Sequence, residues 1–254
     1  MNILVCAKRV PMTGGTIVLT ADEQAIETRH LGFTISPHEE CGVEEAVRLI
    51  EAHGGESAVL VLGPPEAEEQ LRDAMALGID RAILLRVDDE FDAQATAAAI
   101  VESILAERAA GVEYDLILFG NESADSGGYQ VGVRVAHALD RPCVTGVKGI
   151  AVEDGRVRCE QEVAGGRDVY DVPLPAVVTV KEGLNLPRYP SVPGRLRAKR
   201  KPLETRTPSR QEPGLEKLRL KLPPGQGTRA EILGHGPEAA PAVVEVLRKA
   251  GLVS

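Results

Sequence analysis

The sequence predicts an α/β fold: an open, doubly wound parallel sheet with antiparallel edge strands and an extended C-terminal arm. Three observations carry this expectation. Short apolar runs alternate with helix-length stretches as far as Leu139, strand-like runs follow one another from Val144, and prolines interrupt a polar tail after Pro202. Strands separated by helices of this length imply parallel pairing through right-handed crossovers.

Ile3–Cys6 (ILVC) is apolar at every position, as suits a strand covered on both faces. Thr16–Leu31 reads as a small hairpin inserted after it, with Ala21–Gln24 as its turn. The first helix, Pro37–Ala52, has a clear start: Ser36 at the N-cap, Pro37 at the first helical position and Glu39 three residues past the cap. Val43, Ala46, Val47 and Ile50 recur along one face, and Gly54-Gly55 ends it. Ala58–Leu62, Ala82–Val87 and Leu116–Phe119 repeat the strand pattern, with helices over Pro65–Leu77, Ala93–Ala109 and Gly128–Leu139. Val147–Val152, Val157–Val163, Arg167–Val172 and Ala176–Val180 follow, separated by turns at Asp154-Gly155, Gly165-Gly166 and Pro173–Pro175, and extend the sheet as an antiparallel edge. In the tail, Pro208, Pro213, Pro223, Pro224, Pro237 and Pro241 leave only Pro241–Ala250 as a short amphipathic helix. Such a tail is either disordered or wraps a partner. The expected division is a domain over 1–205 and an arm over 206–254.

The bulk composition excludes several classes. The chain has 254 residues, 43% hydrophobic and 26% charged, as in an ordinary globular protein. No apolar run approaches the ~20 residues that span a bilayer. The start, MNILVCAKRV, lacks the flanks of a secretory signal, so cytoplasmic residence is expected. Cys6, Cys41, Cys143 and Cys159 lie far apart with no C-x-x-C pair, which fits reduced, mostly buried thiols rather than a disulfide framework or a zinc site. A net charge of −9 argues against nucleic-acid binding. Arg195, Arg197, Lys199, Arg200 and Lys201 nevertheless make a local basic strip, either a solvated face or a means of steering an acidic partner. Aromatics are 3% with no Trp, so this chain alone has few rings with which to sandwich a planar cofactor or a base.

In an open parallel sheet, ligands bind beyond the carboxyl ends of the strands. The loops there are Ala7–Gly15, Gly63-Pro64-Pro65 and Gly120–Gly128. The third combines a strand end, glycines and a helix start, which brings free backbone N–H groups and a positive dipole end together. It suits a phosphate or pyrophosphate, with Ser126 and Gln130 as donors and Asp125 accepting from a ribose or ordering the loop. The alternative is a turn that merely caps a helix. Neither a G-x-G-x-x-G fingerprint nor a Walker lysine–serine pair occurs in this loop. His38-Glu39-Glu40 lacks an i, i+4 partner and reads as a capping cluster, and no nucleophile elbow, H-E-x-x-H helix or paired-carboxylate signature appears. No catalytic or metal-ligating residues are assigned.

Four stretches resemble the beta (small) subunit of electron-transfer flavoproteins, in matching order: Cys6–Pro11 (CAKRVP), Val43–Leu49 (VEEAVRL), Ala74–Ile83 (AMALGIDRAI) and Leu174–Lys201, which ends in KEGLNLPRYPSVPGRLRAKRK. The last is the most specific, and the likeness covers about the first 205 residues. It implies a Rossmann-like, adenine-nucleotide-binding domain in a heterodimer with a larger alpha subunit, an FAD shared with that subunit, and an arm clasping it. It also implies a second nucleotide in this chain, AMP or, in an electron-bifurcating branch, a second FAD. Matched residue by residue, that nucleotide touches Cys6 and Ala7 at the first strand's end, then Ser36, Pro37, His38 and Glu39 at the first helix. Leu62 and Gly63 follow, then Gly120, Asn121, Glu122, Ser123 and Ala124, and finally Asp125, Ser126, Gly127, Gly128, Tyr129, Gln130 and Val131. The ending Gln130-Val131-Gly132 looks more like the two-FAD branch, whereas Gly127-Gly128 departs from both patterns. Contacts to the shared flavin fall by position around Pro11–Thr13 and His38, without support for stacking at Thr13.

The function implied is electron carriage without side-chain catalysis, from acyl-CoA or related dehydrogenases, as in fatty acid beta-oxidation, to a quinone-linked oxidoreductase. Tyr189, Val192 and Pro193, followed by Arg195 and Arg197, form the expected docking loop, with Val192 as its apolar anchor. The competing readings are a subunit of an electron-bifurcating flavoprotein that oxidises NADH, and an adenine-nucleotide sensor or hydrolase on the same core.

Overall fold

The structure is a computed structural model that describes residues 1–12, 14, 16–209, 212–223 and 231–253. Thr13 and Pro224 lie outside the described residues. One compact unit spans Met1–Arg219, and a second, small one spans Leu220–Ser254.

The first unit is built on β1 (Asn2–Ala7), β4 (Glu56–Gly63), β5 (Arg81–Arg86), β6 (Leu116–Gly120), β7 (Cys143–Glu153), β8 (Arg156–Val163), β9 (Gly166–Pro173), β10 (Ala176–Val180) and β11 (Leu203–Arg206). Their order is β11-β5-β4-β1-β6-β10-β7-β8-β9. The pairs from β11 to β7 are parallel, and β8 and β9 continue antiparallel.

The all-apolar run in β1 explains its central place. Ile3 and Val5 pack on one side with Val43, Ala46 and Val47 of α1 (Pro37–His53) and Leu71 and Met75 of α2 (Glu68–Leu77). Leu4 and Cys6 pack on the other side with Ile100 and Ile104 of α3 (Ala93–Ala109) and Val135 of α4 (Val131–Ala138). Burying a large aliphatic side chain contributes roughly 1.5–3 kcal/mol, so the two-sided core dominates stability. Cys6 is in register with Leu60 on β4 and Phe119 on β6. The chain runs from β1 to β4 and β5 on one side, then crosses to β6 on the other. The carboxyl end of β1 is therefore the switch point where ligands of such sheets bind.

The elements depart from the sequence expectation in informative ways. Of the last four strands, only β8 and β9 form an antiparallel extension. β10 is interior, between β6 and β7, because Ala176–Val180 is buried at every position and needs cover on both faces. β11 was not foreseen. It adds a parallel edge to β5 and is fixed by Arg206, which pairs with Glu107 and donates to Ser103 Oγ (3.1 Å). Within Thr16–Leu31 the turn at Ala21–Gln24 forms, but the pairing is a single bridge, Leu19 to Ile26. The ladder lies outside it, between β2 (Arg9–Pro11) and β3 (Phe33–Ile35). α4 starts three residues later than expected, because Gly127 and Tyr129 take left-handed backbone (φ 55° each) and prolong the loop. Finally, α5 (Val192–Ala198) stands where a loop was expected, capped by the Ser191 hydroxyl accepting from Gly194 N (3.1 Å).

In the second unit, a short 3₁₀ turn (Gly236–Ala239) leads into α6 (Ala240–Lys249), on which Val243, Val244 and Val246 are exposed. Among the described residues, no helix is long and apolar enough to cross a membrane.

Candidate functional site

A cleft of about 350 Å³ opens at the switch point, lined by Ser36, Pro37 and His38 from the start of α1, by Glu122–Gly127 from the loop after β6, and by Glu182 just past β10. That volume lies at the small end of the ~300–1,000 Å³ range of ligand pockets.

The cleft is assembled around Glu39. Its side chain is buried, and its two oxygens accept from Lys8 N (3.1 Å) and Ser36 N (2.9 Å). Burial pushes this carboxyl up to about 8, against the pull of those two N–H donors. Glu39 packs so tightly on the end of β6 that a Cβ at Gly120 would lie 2.7 Å from Glu39 Cγ and 3.3 Å from His38 Cβ. Gly120 is thus required by packing, whatever binds above it. The Ser36 hydroxyl reaches across to accept from Ala124 N (3.0 Å), joining helix and loop.

The loop is braced from within. Gly127 N donates to Ser123 O (3.1 Å), Ser126 N to the Asp125 carboxylate (2.6 Å), and the Ser123 and Ser126 hydroxyls are 3.0 Å apart. From just past β1, the Lys8 ammonium pairs with Asp125 (2.7 Å) and approaches Ser126 Oγ (3.5 Å). Partial burial tends to raise the Asp125 carboxyl, but the Lys8 charge and local hydrogen bonds hold it below the usual carboxylate range. His38 Nε2 faces Glu122 at 3.8 Å, while its Nδ1 is buried without a hydrogen-bond partner among the described residues. An orphaned ring nitrogen beside a lined cleft fits a site that takes a polar ligand.

Of the residues matched from the sequence, the structure brings Ser36–His38 and Glu122–Gly127 to one surface, with Glu39 and Gly120 beneath it. Others point elsewhere. Cys6 presents its thiol to the core, where burial pushes it far up, and Ala7 is half-buried behind it. Leu62 and Gly63 end β4, where Gly63 O accepts from Val87 N (3.0 Å). Asn121 faces the sheet, accepting from Thr179 Oγ1 (2.8 Å). Gly128, Tyr129, Gln130 and Val131 carry the loop into α4, and Gln130 accepts from Arg134 (3.2 Å). Lys8 and Glu182 were missed as site residues. Both sit at carboxyl ends of parallel strands, so the switch-point rule was the signal that could have found them.

The second surface is the segment after β10. Asn185 donates to Cys41 O (3.0 Å) and Glu45 (2.8 Å), and Arg188 grips Glu44 (2.9 Å) and Glu51 (2.7 Å) on α1. Above these anchors Leu186, Tyr189, Val192 and Leu196 stand 84%, 96%, 74% and 61% exposed. α5 lies against α2 so closely that a Cβ at Gly194 would meet Ala76 O at 2.5 Å. The basic strip divides. Lys201 donates to Met75 O, Gly78 O and Ile79 O (3.2, 3.1 and 2.6 Å) at the end of α2, Arg195 pairs with Asp73 (3.2 Å), and Arg197 is exposed. Part of the strip is therefore a brace rather than free charge.

The family profile described as electron transfer flavoprotein domain matches residues 25–210. The electron transfer flavoprotein subunit beta of Bacillus subtilis (strain 168) is 34% identical over 255 residues, covering 98% of each chain. The human protein of the same name is 33% identical over 209 residues, 82% of each chain. Subunit CarD of the caffeyl-CoA reductase-Etf complex of Acetobacterium woodii is 33% identical over 206 residues, 80% of this chain and 77% of its own. With its nine-stranded, mostly parallel sheet and a switch-point cleft, the chain belongs to the electron transfer flavoprotein family, as a beta subunit.

Proposed function

We propose that this chain pairs with an alpha subunit as a heterodimeric electron carrier with no side-chain catalysis of its own. It receives electrons from acyl-CoA or related dehydrogenases and delivers them to a quinone-linked oxidoreductase. An FAD shared with the alpha subunit supplies the redox chemistry when bound. An adenine nucleotide, AMP rather than a second FAD, occupies the cleft between Ser36–Glu39 and Glu122–Gly127, and 206–254 serves as an arm on the alpha subunit.

The observation that carries this reading is the apolar platform of Leu186, Tyr189, Val192 and Leu196 on a segment pinned to α1. A carrier must dock briefly with more than one protein, and a small exposed apolar contact on a fixed base suits a weak, short-lived interface. A stretch of this kind has no evident use in a self-contained hydrolase. Arg197, exposed beside it, adds local positive charge for acidic partners. The low aromatic content, 3%, agrees with a flavin held mainly by another chain.

A second reading, electron bifurcation with a second FAD and NADH oxidation, draws on the likeness to the caffeyl-CoA reductase-Etf subunit. Co-expression with a candidate alpha subunit, followed by nucleotide extraction, separates the readings. One FAD and one AMP per dimer is the expected result. Two FAD per dimer would favour bifurcation, and ATP without flavin would sink the carrier reading.

A further inference from the structure

We propose that Lys8 reads the phosphate of the cleft nucleotide, exchanging its ion pair with Asp125 for a monophosphate. This rests on the cleft being a nucleotide site.

The charge inventory of the cleft makes the argument. The side chains lining it include three acids: Glu122 and Asp125 from the loop after β6, and Glu182 just past β10. His38 is directed at Glu122 through Nε2. Lys8 is the lysine or arginine that the described ion pairs bring to this cleft, and its ammonium sits over the loop at Asp125 and Ser126. A phosphate entering here meets carboxylates unless Lys8 turns to it. Backbone N–H groups and a helix N-terminus orient an anion, but they do not offset three nearby negative charges.

Lys8 is also placed so that the exchange is easy. Its backbone is fixed, because its N–H is held by the buried Glu39, while its side chain is 36% exposed and that of Asp125 is 25% exposed. Pairs this open to water contribute little and can swap partners. Asp125 keeps its hydrogen bond from Ser126 N when the ammonium leaves. The Ser126 hydroxyl, already within reach of Lys8, can donate to the same phosphate. One ammonium matches a monophosphate better than a diphosphate, which would set more charge against the same acids. The ligand class is therefore a nucleoside monophosphate, probed here with AMP and with adenosine as the neutral control.

The test uses the full complex, stripped of nucleotide, and equilibrium dialysis of AMP and adenosine at low and high salt. Wild type should bind AMP at least tenfold more tightly than adenosine. Lys8→Gln should erase that advantage, flatten the salt dependence and leave adenosine within twofold, since the backbone bond to Glu39 remains. Lys8→Arg should keep part of the preference. Asp125→Asn should strengthen AMP binding several-fold by freeing the ammonium, which a purely structural Lys8–Asp125 brace would not do. An unchanged AMP-to-adenosine ratio in Lys8→Gln overturns the proposal, and so does an equal loss of both ligands. If wild type binds neither ligand, the nucleotide reading of the cleft falls first and the role of Lys8 falls with it.

Discussion

Glu39 and Glu44 lie on the same helix, five residues apart, and both are almost sealed from water, at 5% and 1% exposure. Their surroundings are opposite. Glu39 receives two backbone N–H groups and no cation, so burial lifts its carboxyl to about 8. Glu44 is buried too, but Arg188 and Arg48 hold its carboxyl below the usual range. The first supports the cleft and the second supports the exposed platform. If the cleft takes a phosphate as proposed, a carboxyl raised towards its neutral form suits it, since a charged Glu39 would add to the field of Asp125. A platform that must hold its shape while partners come and go is served by a charged strut. One helix thus carries two electrostatic solutions, each suited to what lies above it.

The sharpest way to break the second solution is Arg188→Ala. Arg188 is 36% exposed, whereas the Glu44 side chain is only 2% exposed, so removing the arginine leaves a buried carboxylate with Arg48 (2.6 Å) as its remaining cation. The reverse substitution, Glu44→Ala, leaves an arginine that can turn to solvent and should cost less. Arg188→Ala is expected to destabilise the chain by about 2 kcal/mol, less than a fully broken buried pair costs, because Arg48 stays with Glu44. Chemical denaturation measures this, and proteolysis should speed up within Leu184–Tyr189. A loss no larger than that of Glu44→Ala would mean that Glu44 is solvated in the variant and is no strut.

Glu39→Gln probes the first solution with a smaller effect that depends on pH. A carboxyl raised from its ordinary value of 4.5 to about 8 holds its proton in the folded state while the unfolded chain releases it. Its contribution to stability is therefore complete below about 4.5 and declines as pH rises towards about 8. Glutamine keeps one acceptor and cannot ionise. Melting temperatures of the wild type should fall across this window more steeply than those of Glu39→Gln, and the gap between the two should move in favour of the variant at the alkaline end. Parallel curves would show that Glu39 is ionised throughout, leaving its two N–H bonds as the whole of its role.

The contrast between Glu39 and Glu44 was only half legible in the sequence. Ser36-Pro37-x-Glu39 announced a capped helix start, and it folds as read. Glu44 carried only the local signal of Arg48 four residues on, and its second partner, Arg188, is 144 residues away in the chain. The parallel core could be read from its all-apolar strands, since burial on both faces leaves no room for alternation. β11 could not, because Leu203–Arg206 is held by Arg206 reaching Glu107 and Ser103 on α3 rather than by a hydrophobic run. At the cleft, the loop after β6 was found from its glycines and helix start. Lys8 fell inside the Ala7–Gly15 loop that the switch-point rule named, but it was not singled out, because its role depends on the loop that folding brings opposite it. α5 did have a local signal, Ser191 followed by Pro193, that the prolines around it masked.

Val192→Ala separates the platform from its base. Val192 is the first residue of α5, and its side chain is 74% exposed, so its loss should change stability by less than about 0.5 kcal/mol. If the platform docks a dehydrogenase, removing two methyl groups from a buried contact weakens that encounter by roughly 1.5 kcal/mol, about a tenfold loss. Stopped-flow reduction of the complex should slow accordingly, with flavin content intact. Arg188→Ala should slow the same step by loosening the base. The double variant should then lose less than the sum of the two, because a loosened platform no longer presents Val192 in place. Additive losses would mean that the two residues serve docking independently. Loss of flavin from Val192→Ala alone would make the segment an internal brace, and the docking role would go with it.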